Sequence, residues 1–205
     1  MNNRFQAAWE IHKFLTKHNI PYAIIGGTAL PRWGEPRFTK DVDLTVVTSL
    51  EEGVVPFVHL MLTHFESREP DALAFARQNR VLKLRASNQC DIDISLGLPG
   101  YEAKMLERAV EYELEKGKTV RVCSAEDLII LKSVAGRPQD LTDIQGVILR
   151  QRAKLDAAHI RKWLKQFDEL LPEPHALQDF ERLWRAEKRA LREARASYRI
   201  KVKRR

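Results

Sequence analysis

Two aspartate pairs, Asp41-Val42-Asp43 and Asp91-Ile92-Asp93, have the types and spacing to hold a cation. On a strand, residues i and i+2 point to one face. The first pair is flanked by apolar runs, so it lies at the end of a buried element, where uncompensated charge is costly. A divalent cation supplies the compensation. Oxygen-only ligands of this kind suit Mg²⁺, which takes one or two carboxylates and completes its shell with water and substrate phosphates. Upstream, the apolar run Tyr22–Ile25 ends in Gly26-Gly27, and a loop carrying Arg37 and Lys40 leads into Asp41. A glycine pair beside such carboxylates is what a nucleoside triphosphate site needs. If both Asp-x-Asp strands share one small sheet, three or four carboxylates meet at its edge. Three fit a two-metal phosphoryl-transfer site, one ion activating the attacking oxygen and the other stabilising the leaving pyrophosphate. The plainer reading makes each Asp-x-Asp the solvated face of an edge strand. Two such dipeptides with a glycine pair ahead of the first argue against it.

The elements that position these residues follow from periodicity. Phe5, Ala8, Ile11 and Leu15 recur at helical spacing and predict a helix near 3–18, stopped by Asn19 and Pro21. Tyr22–Ile25 reads as a buried strand. Gly26-Gly27 opens a short helix through Leu30, limited by Pro31 and Gly34, and Val42–Val47 is a second strand. Ser49 reads as the N-cap of a helix with Glu51 and Glu52 in its first turn, running to about Phe65 with Pro56 near its start. A helix near 71–78, strands Val81–Arg85 and Asp91–Leu96, a turn at Pro99-Gly100 and a hairpin of Glu111–Glu115 with Thr119–Cys123 complete the mixed part. From Ser124 onward only helical patterns occur, with stretches from Ser124 to about Gly136 and at about 139–152, 156–170 and 175–199. The expected fold class is α+β: a small mixed β-sheet core with flanking helices over residues 1–123, then a helical region over 124–205 ending in a basic helix.

The chain has 205 residues, 44% hydrophobic and 31% charged, within the range of a soluble globular protein. No apolar run approaches a membrane span, and the N-terminal stretch has no signal-like segment, so a cytoplasmic location is expected. Cys90 and Cys123 form neither a metal motif nor a disulfide framework and read as reduced packing residues. His59 and His64 have the wrong spacing to share a helical face as ligands. The net charge of +7 is uneven. Residues 181–205 hold eleven Lys or Arg against three Glu, a net of +8, leaving −1 for residues 1–180. Phe180, Leu183, Trp184, Leu191 and Tyr198 form one apolar stripe in that tail. The cations, among them Arg185, Lys188, Arg189, Arg192, Arg195 and Arg199, form either a solvated face or a platform for RNA phosphates.

Gly26-Gly27-Thr28-Ala29, then Arg37-Phe-Thr-Lys-Asp41-Val-Asp43-Leu, then Asp93-Ile-Ser-Leu-Gly97 resembles the polymerase-β-type nucleotidyltransferase superfamily. Within it the chain is most similar to the branch of AbiEii-type toxins and related bacterial nucleotidyltransferases. That branch also carries Ser124-Ala-Glu-Asp127-Leu-Ile-Ile-Leu-Lys132 and Arg137-Pro-Gln-Asp140-Leu-Thr-Asp143 as they stand here. The likeness covers about residues 20–150. It implies that Gly26 and Gly27 admit the β- and γ-phosphates to backbone N–H groups, with Thr28 adding a hydroxyl donor. It implies that Asp41, Asp43 and Asp93 are the catalytic carboxylates and hold two Mg²⁺ ions, with Mn²⁺ as a substitute. Asp93 is preferred over Asp91 because Ile-Ser-Leu-Gly follows it, although spacing alone leaves the two open. Lys40, Lys132 and Arg137 are candidates for triphosphate contacts. An exposed helical Lys132, and Asp140 and Asp143 paired with Arg137 or Lys132, are the structural alternatives. Two departures stand out: Gly-Gly replaces the superfamily's common Gly-Ser, and the loop from Gly27 to Asp41 is long.

The expected activity is transfer of a nucleoside monophosphate from an NTP to a hydroxyl acceptor, with release of pyrophosphate. The basic tail favours tRNA or another RNA as acceptor, and the resemblance adds a cognate toxin or antitoxin partner. The alternatives are a partner-protein or small-molecule acceptor, and a module that binds nucleotide or RNA without turnover.

Overall fold

The computed structural model describes residues 3–49 and 53–203, with side chains described to Ala190 and at Glu193 in the last helix. The chain forms two compact units, one from residues up to Arg32 plus Pro36–Ser124, the other from Trp33–Glu35 plus the chain from Ala125 onward.

The first unit is built on alternation. Strand β2 (Val42–Val47) buries Val42, Leu44 and Val46. Strand β5 (Asp91–Gly97) buries Ile92, Ile94 and Leu96. Strand β4 (Val81–Arg85) buries Leu82 and Leu84. Because strand side chains alternate, one face of these strands packs into the core while Asp43, Asp91, Asp93, Lys83 and Arg85 lie on the other. Strands β1 (Tyr22–Ile24), β3 (Glu66–Ser67), β6 (Val110–Glu115) and β7 (Lys118–Val122) complete the sheet, in the order β3-β4-β5-β2-β1-β7-β6. β2 pairs in parallel with β5, and β1 with β7; the other pairings are antiparallel. This is the expected mixed sheet with flanking helices.

Helix α1 (Asn3–Lys17) buries Arg4, Ala7, Ala8, Ile11 and Leu15; Phe5, expected in the stripe, is half-buried with the Arg4 guanidinium 5.0 Å from its ring. Helix α2 (Gly26–Trp33) continues past Pro31, where a stop was expected. The proline forfeits one helical N–H bond, but Gly27 to Leu30 are all buried, and that packing carries the helix to Trp33. Helix α3 (Val54–Leu62) starts later than expected, with Gly53 rather than Ser49 at its N-cap. Pro56 falls in its first turn, where a missing N–H costs nothing. Glu51 and Glu52, expected in that turn, lie outside the described residues. Helix α4 (Ala72–Asn79) is capped by the Asp71 carboxylate, which accepts from Ala74 N–H at 2.9 Å. Strand β3 and helix α5 (Tyr101–Glu107) were not foreseen: the first has two residues and the second seven, too short for periodicity to register. Cys90 and Cys123 are free and buried, as expected.

The second unit packs helices α6 (Ala125–Ala135), α7 (Pro138–Gln151), α8 (Ala157–Asp168) and α9 (Ala176–Lys203) around Ile129, Ile130, Ile144, Val147, Ile160, Leu164 and Phe180. Side chains of α7 hold Trp33–Glu35 to this unit. Gln151 Nε2 donates to the Trp33 carbonyl and Arg150 Nη1 to the Gly34 carbonyl, each at 2.7 Å. Asp156 caps α8, accepting from Ala158 and His159 N–H, at the start of the helix expected from 156. The start of α9 is held by Asp168, whose carboxylate accepts from His175, Ala176 and Leu177 N–H at 2.9–3.2 Å. No helix among the described residues is long and apolar enough to cross a membrane.

Candidate active site

The parallel register of β2 and β5 sets Asp43 directly beside Asp93. On β4, Lys83 is opposite Asp93 and Arg85 opposite Asp91. Asp41 immediately precedes β2 and is fixed from three directions. Thr39 Oγ1 donates to its carboxylate at 2.6 Å. Thr28 Oγ1 donates to its carbonyl at 3.3 Å. Cys90 Sγ donates to the adjacent Lys40 carbonyl at 3.2 Å. The long loop therefore ends in a defined place, while the Lys40 side chain is exposed.

The glycine pair has a direct steric reason. Gly26 has φ +60°, a conformation that favours glycine, and a Cβ there would fall on the Asp43 carboxylate. A Cβ on Gly27 would lie 2.9 Å from the Thr39 side chain. Ile25 N–H donates to the Asp43 carbonyl at 2.9 Å, so the turn into α2 is tied to the strand that bears the carboxylates. The first N–H groups of a helix have no partner within it. The start of α2 thus offers donors beside Asp43, the arrangement that receives phosphate oxygens.

Asp93 has a partner the sequence reading did not identify. Arg68 Nη1 lies 2.5 Å from Asp93 Oδ1, and Arg68 Nη2 lies 3.1 Å from Asp91 Oδ2. Arg85 Nε also meets Asp91, at 3.4 Å. Lys83 is turned to Glu69, at 3.2 Å. Burial holds the Asp93 carboxyl above its usual range, against the pull of Arg68, and the Asp41 charge adds to the rise. Nothing in the sequence signals Arg68, because it follows a two-residue strand with no pattern of its own.

The donors here are carboxylate oxygens, which suit Mg²⁺, and the missing Cβ of Gly26 lets the Asp43 carboxylate lie against the turn. The residues fit a divalent cation at Asp41 and Asp43 with Asp93 as the neighbouring carboxylate. Among the described residues no three acidic, His or Cys side chains form a ready-made metal cluster, consistent with Asp93 being engaged by Arg68.

The other expected site residues lie elsewhere or face otherwise. Thr28 is fully buried, and its hydroxyl goes to the Asp41 backbone rather than outward. Lys132 is neither an exposed helical residue nor a phosphate contact: it is buried in the helical unit, in the pairing with Asp140 and Asp143 that was the structural alternative. Its Nζ lies 2.9 Å from Asp140 and 2.6 Å from Asp143. Two carboxylates one turn apart on α7 make that burial tolerable. Arg137 Nε binds Asp140 at 2.6 Å with its side chain 72% exposed. On α9, Phe180, Leu183 and Trp184 are buried as the stripe predicts. Arg185 and Arg189 are exposed beside Glu181 and Glu193, and Lys188 lies 5.0 Å from the Trp184 ring. The side chains of Leu191, Arg192, Arg195, Tyr198 and Arg199 lie outside the described residues.

The fold has solved counterparts. The chain is similar to an antigenic nucleotidyltransferase-like protein from Paracoccidioides brasiliensis, with TM-score 0.52 and 19% identity, covering 91% of this chain and 94% of that one. It is similar to ANT(2")-Ia, solved in complex with adenylyl-2"-tobramycin, with TM-score 0.51 and 18% identity over 80% of this chain and 98% of that one. No curated protein matches the chain. The model of the nucleotidyl transferase AbiEii toxin family, of type IV toxin–antitoxin systems, matches residues 15–202. With nearly the whole chain matched, and with a glycine turn and paired carboxylates at one sheet edge, this protein belongs to the AbiEii nucleotidyltransferase toxin family and is an enzyme of nucleotidyl transfer.

Proposed function

We propose that the protein transfers a nucleoside monophosphate from an NTP to a hydroxyl group of an RNA, with tRNA the favoured class, and releases pyrophosphate. The observation that carries this reading is the register of Asp43 with Asp93, with Gly26 φ +60° against the Asp43 carboxylate. Asp41, Asp43 and Asp93 hold divalent cations, Mg²⁺ or Mn²⁺. When bound, these ions neutralise charge on the transferring phosphate and lower the pKa of the attacking hydroxyl. The chain's own groups do the rest. N–H donors at the start of α2 receive the β- and γ-phosphates over Gly26 and Gly27. Lys40, exposed one residue before Asp41, supplies a mobile positive charge to the triphosphate. Thr28 and Thr39 act by holding Asp41 in place. Lys132 and Arg137 act through their ion cluster in the helical unit.

The choice of RNA rests on the net +8 of residues 181–205. Exposed Arg185, Lys188 and Arg189 are placed to meet phosphates, with binding that weakens steeply as salt rises. Family membership adds a cognate antitoxin as partner. The fold shared with ANT(2")-Ia keeps a small-molecule acceptor as the second reading.

The test is incubation with Mg²⁺, each α-³²P-labelled NTP in turn, and total bacterial RNA, with Asp41→Ala in parallel. Label should move onto RNA with the wild type alone. Label on a protein or small molecule instead would replace the acceptor, and full activity in Asp41→Ala would remove the assignment of the site.

A further inference from the structure

Arg68 is held in place by more than its ion pairs. It follows β3, which pairs with β4 through Glu66–Arg85 and Ser67–Leu84. Its N–H donates to the Lys83 carbonyl at 3.0 Å. Ser67 Oγ donates to the Glu69 carbonyl at 2.7 Å and accepts from Glu69 N–H at 3.0 Å, closing a turn around it. The side chain is 22% exposed, and the two ends of its guanidinium go to different carboxylates of one strand face, Asp93 and Asp91. The two acids are not equivalent. Asp91 is shared by Arg68 and Arg85, whereas Asp93 pairs with Arg68 and lies in register with Asp43.

We propose that Arg68 is a removable counter-ion for Asp93, a positioning residue that sets the affinity of the site for divalent cations. This rests on Asp41, Asp43 and Asp93 being the cation-binding carboxylates. Without a cation, the Nη1 arm neutralises Asp93, which would otherwise add to the repulsion from Asp41 and Asp43. When a cation binds, Nη1 yields the Asp93 oxygen while Nη2 stays on Asp91, so the side chain remains beside the site. The rigid guanidinium fork suits this, because one arm can release while the other holds. Asp91, the other candidate for the third ligand, is then the anchor of Arg68 rather than a ligand.

The account requires competition between Arg68 and the cation. Binding of Mn²⁺ is measured by the electron paramagnetic resonance signal of the free ion, in the absence of NTP and acceptor. Arg68→Gln should bind Mn²⁺ about tenfold or more tightly than wild type, since one positive charge within a few ångströms of the ion is gone. Arg68→Lys, which keeps the charge, should stay within about threefold of wild type. Unchanged or weaker binding in a folded Arg68→Gln variant overturns the proposal. Should that variant fail to fold, the wild type decides: the Arg68 Nε–Hε resonance must shift on saturation with Mg²⁺, and a fixed resonance overturns the proposal. Asp43→Asn separates the two layers of the argument. If it leaves wild-type Mn²⁺ affinity intact, the reading of the site has failed; if it abolishes binding while Arg68→Gln fails to tighten it, only the role of Arg68 has failed.

Discussion

In the helical unit, Lys132 and Arg137 face Asp140 and Asp143, two cations to two anions, and Lys132 and both aspartates are nearly inaccessible. At the starts of β2 and β5, Asp41, Asp43, Asp91 and Asp93 remain partly exposed; Arg68 meets Asp91 and Asp93, and Arg85 meets Asp91. The first cluster is balanced, and all of it but the Arg137 side chain is dry, so each charge has its partner. The second holds more acid than base and stays open to solvent, so it retains capacity for a cation that comes from outside. Similar residue types thus serve two ends, and the difference lies in the charge balance and the exposure. Desolvation makes the same point. Burial pushes both Asp93 and Asp140 up, but hydrogen bonds from Arg137 and Lys132 more than reverse this for Asp140, whereas Arg68 only partly offsets it for Asp93.

The strongest way to break the contrast is to unbalance the dry cluster. Lys132→Ala leaves Asp140 and Asp143 buried without their ammonium and should cost about 3–5 kcal/mol in urea unfolding. A cost under about 1 kcal/mol would mean that the cluster is not structural. At the open edge, Gly26→Ala should cost about 1–2 kcal/mol, because φ is +60° there and the Cβ meets Asp43. Its larger effect should be on function, with NTP affinity lost in a calorimetric titration while the fold survives.

The pH dependence sharpens the same comparison. Asp140 is held below the ordinary carboxylate range. Its contribution is therefore present above that range and is lost as pH falls through its own lowered value. Asp93 is raised, so the folded state binds its proton more tightly than the unfolded chain does. Its effect has the opposite sign: acid favours the folded state over that interval while cation binding weakens. Asp140→Asn should flatten the loss of stability as pH falls below about 4, and Asp93→Asn should remove the stabilisation that acid brings above about pH 4. The smallest stability effect belongs to α9. Replacing Arg185, Lys188 and Arg189 together by Gln should change stability by about 0.5 kcal/mol or less. RNA affinity and its salt slope, read by filter binding, should both fall. Unchanged RNA affinity would argue against the tail as the acceptor platform.

Much of this arrangement could be read from the chain because alternation is a strong signal. Val42, Leu44 and Val46 against Asp43, and Ile92, Ile94 and Leu96 against Asp93, place the core face and the acidic face together. The expected strand spans and the Asp156 cap follow local rules and match the structure. What was illegible depended on pairing. Strand β3 exists through its partner β4, and Arg68 reaches Asp93 across 25 residues of sequence through that pairing. The pairing of Lys132 with Asp140 and Asp143 was among the readings of the sequence, but its burial was not, because the register between α6 and α7 is set by packing. The resemblance offers the Thr28 hydroxyl to phosphate, and a hydroxyl after a glycine pair carries no mark of the bond it makes to the Asp41 carbonyl.

The most direct test of the contrast between the two clusters is Asp43→Asn, measured for stability and for transfer in one preparation. The substitution removes one carboxylate from an edge with acid in excess and changes almost no volume. Urea unfolding should show stability equal to wild type within about 1 kcal/mol, or higher, while transfer of label from α-³²P NTP falls by about a thousandfold or more. Transfer at the wild-type rate in a folded Asp43→Asn protein would contradict the account and place the chemistry elsewhere in the molecule.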